Sequence, residues 1–292
     1  MNTHAIRLAA LFFACVVANS AFAKAGSSAP AWHFKPAATL GAAAVKPAAS
    51  RAALVIGNGA YARAPLKNPV ADATAVADEL RKLGFEVTLI KDASWQQMNK
   101  EVLAFTERAA ASEVRVVYYA GHGAQIRGRN YLVPVDVQVD LDEDLQRKSV
   151  DLSEVTERLA RQPKAVNVVI VDACRNNPAS NVALDADGRR LKARGAQTAG
   201  LAPMRAPAGT LIAYATAPGQ VADDRAGGKN SLYTKHLLTH LPQPGITLEQ
   251  LFKRVRIGVL EESQMKQQPW DESNLTVDFC FKTGHGGRCP GI

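Results

Sequence analysis

Val114-Arg115-Val116-Val117-Tyr118-Tyr119-Ala120-Gly121-His122-Gly123 is an apolar run that ends on a histidine held between two glycines, and Val166-Asn167-Val168-Val169-Ile170-Val171-Asp172-Ala173-Cys174-Arg175-Asn176 repeats the arrangement with a cysteine. Short β-branched runs of this kind read as strands buried on both faces, the habit of parallel sheets. Ligands of an open parallel sheet gather beyond the carboxyl ends of its strands. A histidine and a cysteine at two such ends have the placement of a thiol nucleophile and its base.

The flanking sequence supplies the matching alternation. Ala52 to Ile56 and Phe85 to Ile90 read as strands, and Pro69 to Leu83 and Trp95 to Ala110 as amphipathic helices. Val114 to Tyr119 is then a third strand, Val166 to Val171 a fourth, Thr210 to Ala215 a fifth, with a last one near Leu275 to Phe281. Further helices are expected at Leu152 to Ala160, Ser231 to Leu241 and Leu248 to Glu262. The fold class is α/β, with a six-stranded, mostly parallel sheet flanked by crossover helices. Asn68 before Pro69 reads as a helix cap, Gly84 as a left-handed stop, and Ser94 with Gln97 as a capping box. Arg127-Gly128-Arg129-Asn130 suggests a tight hairpin after the histidine. Between the cysteine and the fifth strand, Asn176 to Gly209 is irregular, and a loop of that length in a compact domain is functional or disordered.

The chain has 292 residues, 47% of them hydrophobic, which is ample for a buried core. Residues 1–23 carry Arg7, an apolar stretch from Leu8 to about Ala18 and the small-residue end Ala21-Phe22-Ala23, the pattern of a secretory signal cut after Ala23. The apolar stretch falls short of the roughly 20 residues that span a bilayer, so the mature chain is expected to be secreted or periplasmic with no integral membrane segment. Residues 24–50, rich in Ala, Pro and Ser, read as a linker, 51–282 as the folded domain and 283–292 as a tail. The mature chain keeps Cys174, Cys280 and Cys289. In an oxidising compartment Cys280 and Cys289 would close a small C-terminal loop and leave Cys174 as a single thiol; the alternative is three reduced cysteines. The formal charge of +8 is scattered, without the basic, aromatic-interleaved runs that nucleic acid requires.

A lone histidine beside glycine is usually a turn residue, and a lone cysteine at a strand end a small core hydrophobe. Their joint placement outweighs both readings. His122 would maintain the Cys174 thiolate and then protonate the leaving amine, while the amides of Gly123 and Cys174 donate to the oxyanion. A competing motif, Gly57-Asn58-Gly59-Ala60-Tyr61-Ala62, fits the loose dinucleotide-binding pattern with Asp92 as its ribose acid. Asp92 stands farther off than the usual spacing of about 20 residues, however, and Pro65 separates the glycines from their helix.

Asp172-Ala173-Cys174-Arg175-Asn176, with His122 in the upstream place, resembles the caspase signature Gln-Ala-Cys-Arg-Gly, whose histidine lies about 50 residues before it. Leu54-Val55-Ile56-Gly57-Asn58, Tyr118 to Gly123, Tyr131-Leu132-Val133-Pro134-Val135-Asp136 and Tyr214-Ala215-Thr216 carry the same likeness. Over about residues 51 to 281 the chain resembles the caspase-like cysteine peptidases, paracaspases and bacterial metacaspase-like proteins more than true caspases. The resemblance implies a caspase-like three-layer sandwich and a peptidase acting through a thioester acyl-enzyme.

True caspases place Gln where this chain has Asp172; paracaspases and metacaspases place Asp and cleave after Arg or Lys. The resemblance adds Asp72 and, less securely aligned, Asp224 to the acids that bind a basic side chain. It therefore implies a peptide or protein substrate with Arg or Lys before the scissile bond; given such a pocket, Arg190 and Arg194 in the long loop are candidate self-cleavage sites, the alternative being an exposed charged loop with no role. No organic cofactor and no metal ligand set is implied. Some metacaspases need calcium and paracaspases do not; no calcium loop is recognisable, and calcium dependence stays open, as does oligomeric state. The rival reading is a catalytically silent caspase-like module that binds peptides without cutting them.

Overall fold

The computed structural model describes residues 50–137, 142–162, 164–174, 201–218, 228–287 and 289, with the backbone alone at 142, 143 and 174. The expected signal and its Ala23 cut, the linker up to residue 49, Asp224, Arg190 and Arg194 lie outside the described residues.

Strands β1 (Arg51–Gly57), β2 (Glu86–Lys91), β3 (Val114–Ile126), β6 (Val166–Cys174), β7 (Thr210–Tyr214) and β8 (Trp270–Ser273) form one path in the order β2-β1-β3-β6-β7-β8. Every pairing along it is parallel except that of β8 with β7, which is antiparallel. The helices are α1 (Pro69–Lys82), α2 (Trp95–Arg108), α3 (Asp142–Arg147), α4 (Leu152–Ala160), α5 (Leu232–His240) and α6 (Leu248–Glu262). Two short strands, β4 (Arg129–Leu132) and β5 (Val150–Asp151), branch from the far end of β3.

Alternation along the strands builds two cores. Ala53, Val55, Val116, Tyr118, Val168 and Ile170 meet the apolar faces of α1, α5 and α6. Leu54, Ile56, Val117, Tyr119, Val169 and Val171 meet α2 and α4 on the opposite face. At about 1.5–3 kcal/mol for each fully buried aliphatic side chain, these two faces are the main stabilising term. Gly57 permits a close approach of α1 to the sheet, since a Cβ there would lie 2.4 Å from the carbonyl oxygen of Pro69 and 2.6 Å from Ala73 Cβ.

Several local expectations change. β3 does not stop at Tyr119: it runs through His122 to Ile126, because the Arg127-Gly128 turn, with φ of 51 and 80, folds β4 back on it in antiparallel register. The last strand among the described residues is β8, upstream of the expected Leu275 to Phe281. That later segment alternates for another reason: Phe281 is core, Leu275 and Phe279 pack against it, and the Phe281 carbonyl accepts from Arg51. Asn68 makes no side-chain cap on α1, although its carbonyl accepts from Asp72 N. Ser94 does cap α2 by accepting from Gln97 N, whereas the reciprocal capping box is at Thr247 and Gln250 on α6. Gly84 takes the left-handed conformation expected after α1, with φ of 83. The irregular stretch 176–209 is described from Leu201 onward, where Leu201 and Ala202 are buried and Asn130 clamps both polar groups of the Ala202 backbone. Cys280 and Cys289 are joined as a disulfide. No helix among the described residues is long and apolar enough to cross a membrane.

Candidate active site

The parallel register of β3 and β6 ends with His122 opposite Cys174, after pairing Ala120 with Asp172 and Gly121 with Ala173. The two residues singled out by the sequence are thus cross-strand neighbours at the end of the parallel pairing of two adjacent central strands, which the backbone sets about 4.8 Å apart.

His122 is buried, and its placement is over-determined. Its backbone N–H donates to the Tyr61 hydroxyl at 2.9 Å, and its carbonyl accepts from the Tyr119 hydroxyl at 2.6 Å. The Tyr61 ring leans on the imidazole with centroids 4.3 Å apart. Nε2 lies 2.7 Å from the carbonyl oxygen of Ala64. A carbonyl only accepts, so Nε2 carries the proton and the basic lone pair of the neutral ring is on Nδ1. Gly121 is required by the same clamp: a Cβ on it would stand 2.6 Å from the Tyr119 hydroxyl and 2.7 Å from that of Tyr61. Burial pushes both phenols well above their ordinary range, so they stay neutral donors. Gly123, at the start of the β3–β4 pairing, faces Ala173 and Leu201.

Below this end of the sheet two acids meet. Asp72, from the first turn of α1, and Asp172, from β6, are 1% and 9% exposed. Asp72 Oδ1 accepts from Asn230 Nδ2 at 2.8 Å and from the backbone N–H of Ser231 at 3.0 Å. Asp172 Oδ2 accepts from the Ser231 hydroxyl and from Thr234 Oγ1 at 2.7 Å. Because Thr234 spends its proton on the carboxylate, the Tyr118 hydroxyl donates to Thr234 Oγ1, at 2.6 Å. Burial, then the Asp172 charge, push the Asp72 carboxyl up to about 7. Two buried carboxylates repel unless a cation or a proton comes between them.

Sequence reasoning missed Tyr61, Ala64, Asn230, Ser231 and Thr234. Ser231 was legible only as a helix start; it does cap α5, accepting from Thr234 N, while also holding both acids. The Ala64 carbonyl had no signal, since a backbone oxygen leaves no residue type to read. Among the described residues no group of three or more His, Cys, Asp or Glu is gathered as a metal site would need.

Residues 50–280 match the family model of the C14 peptidases, the caspase domain. The chain is 29% identical over 129 residues to human mucosa-associated lymphoid tissue lymphoma translocation protein 1, a match covering 44% of this chain and 15% of that protein. The Mus musculus homolog matches over the same length with the same identity. The chain thus spans about 15% of the length of the curated relatives it matches. The crystal structure of caspase-1 from Spodoptera frugiperda superposes with a TM-score of 0.59 at 18% identity, covering 82% of this chain and 92% of that one. That likeness is one of fold.

Proposed function

The chain belongs to the caspase domain family of cysteine peptidases, and on that premise we propose that it is an exported endopeptidase cutting after Arg or Lys. The observation that carries the chemistry is the register partnership of His122 with Cys174. In the proposed reaction Nδ1 of His122 takes the Cys174 proton and the thiolate attacks the scissile carbonyl carbon. The amides of Gly123 and Cys174 donate to the oxyanion. Collapse to the thioester expels the amine, which takes its proton from the imidazolium; water, deprotonated by the same imidazole, then releases the acid.

Specificity for a basic side chain is supported by the buried Asp72 and Asp172 pair, which favours a guanidinium or ammonium and opposes an acidic side chain. Asp224 is a further candidate acid of the pocket, and Arg190 or Arg194 a candidate self-cleavage site. Export is supported by the residues from Arg7 to Ala23 and by the Cys280–Cys289 disulfide, a bond that persists in oxidising compartments. The chemistry needs no organic cofactor, and adding calcium or chelator to the assay reads out calcium dependence.

The test is a fluorogenic peptide panel differing only at the residue before the scissile bond, run on wild type, Cys174→Ala and His122→Ala. Turnover of Arg and Lys peptides by wild type alone is expected. Preference for Asp would overturn the pocket assignment, and peptide binding without turnover of any member would establish the non-cutting module instead.

A further inference from the structure

The glycine-bearing turn after β1 resembles a phosphate cradle in sequence, and the structure fills that cradle with the chain's own carboxylate. Asp92, just past β2, accepts through Oδ1 from the successive amides of Gly59 and Ala60, at 2.8 and 2.9 Å. Two neighbouring N–H groups converging on one oxygen form an anion-binding concavity. Asp92 itself is left-handed, with φ of 48, and its amide donates to the Gly57 carbonyl at 2.9 Å.

The turn beyond the cradle hangs from one peptide: Tyr61 N and Leu66 N both donate to the Gly59 carbonyl, at 2.9 and 3.0 Å. Within that span lie the Tyr61 ring and hydroxyl and the Ala64 carbonyl, three of the contacts that hold His122. Ala64 sits at φ 54, a conformation that a residue with a Cβ keeps only when its surroundings impose it. Losing the anchor at Gly59 and Ala60 would let Ala64 relax and carry its oxygen away from Nε2.

We propose that Asp92 is a positioning residue for His122, acting through residues 59–66 to fix the Nε2–H tautomer and the direction of the ring. The inference rests on the peptidase reading for its kinetic consequence but not for its structural one. Among the described hydrogen bonds, those of the Asp92 carboxylate go to this turn alone, at the amides of Gly59 and Ala60. Its carboxylate therefore acts at one remove.

The experiment uses the mature full-length protein with Asp92→Ala, Asp92→Asn and Tyr61→Phe. Asn keeps an acceptor oxygen for the two amides and serves as the conservative rescue; should Asp92→Ala not fold, Asp92→Ser, whose hydroxyl is too short to span both amides, replaces it. Imidazole nitrogen NMR, with His122→Gln to assign the signal, reports tautomer and titration midpoint without any need for turnover. Wild type and Asp92→Asn are expected to show a single Nε2–H form, and Asp92→Ala a mixture with a displaced midpoint. Per titrated active site, Asp92→Ala should lose about ten- to a hundredfold in kcat, the scale of a catalytic group misplaced from a distance. Its KM should stay within about twofold, and Tyr61→Phe should shift the pH profile in the same direction. An unchanged tautomer and unchanged kcat per active site in Asp92→Ala, whatever its melting temperature, would overturn the proposal. Asp92-dependent imidazole signals in a protein that cleaves no peptide would uphold the positioning role and remove the peptidase assignment.

Discussion

Asp72 and Asp172, carried by different elements, are held by the same residue: the Ser231 amide bonds Asp72 Oδ1 and the Ser231 hydroxyl bonds Asp172 Oδ2. The first residue before α5 therefore sets the spacing of the two charges that the proposed substrate must meet.

Asp172→Asn is expected to lower kcat/KM for an Arg peptide on the order of a hundredfold, about 3 kcal/mol, since it removes one partner of a buried charge pair. Asp72→Asn should do the same, and the double variant should lose less than the sum because the acids interact. Peptide kinetics alongside melting curves check this; a loss confined to stability would count against the pocket.

The pH dependence follows from Asp72, whose carboxyl burial and then Asp172 push up to about 7. The folded chain then holds a proton that the unfolded chain has already lost between the ordinary carboxylate range and neutrality. The stability contributed by this group is full below the unfolded value and is lost as pH rises through the folded one. Asp72→Asn should gain on wild type in melting temperature as pH rises from 5 to about 8. A guanidinium binds the ionised pair, so affinity for benzamidine should climb with pH by up to about tenfold per unit and level off above neutrality. A flat titration would refute the assignment.

Gly121→Ala would drive a methyl into the hydroxyls of Tyr61 and Tyr119. Overpacking of this kind costs about 1–3 kcal/mol, read as a lower denaturant midpoint. Because those hydroxyls hold the His122 peptide, kcat should fall further than the loss of folded protein explains.

Reducing the Cys280–Cys289 disulfide, or Cys289→Ser, should cost about 2–3 kcal/mol, the loop-entropy scale for so short a ring. The effect should appear in thermal melts and leave kcat unchanged, since Cys280 is buried next to Phe281 and Arg51, at the end of β1 remote from His122 in register.

Incubated wild type should yield fragments ending at Arg190 or Arg194 by intact-mass spectrometry, and Cys174→Ala should stay whole. Identical masses in the two would dismiss self-processing.

Much of this was legible early because burial writes itself into residue type. A strand covered on both faces is predominantly apolar, so Val114 to Tyr119 and Val166 to Val171 declare themselves despite Arg115 and Asn167, and glycines beside a histidine declare a chain under close approach. The same cue misleads at Leu275 to Phe281, where apolar alternation serves anchoring in the core instead of a strand. The loose nucleotide-site pattern around Gly57 to Ala62, set aside on the spacing of Asp92 and on Pro65, has another purpose too: the Asp92 carboxylate accepts from the amides of Gly59 and Ala60.

The alternating α/β order, the identity of the histidine and cysteine and the central strands that carry them could be read from residue order alone, because hydrophobic period and residue chemistry are local properties. That Ala64 offers its carbonyl to Nε2 and that Ser231 joins Asp72 to Asp172 emerges only from the packed fold. Those contacts use backbone atoms and short polar side chains brought together from distant segments, and a hydrogen bond of that kind depends on position in space, which no residue's identity encodes.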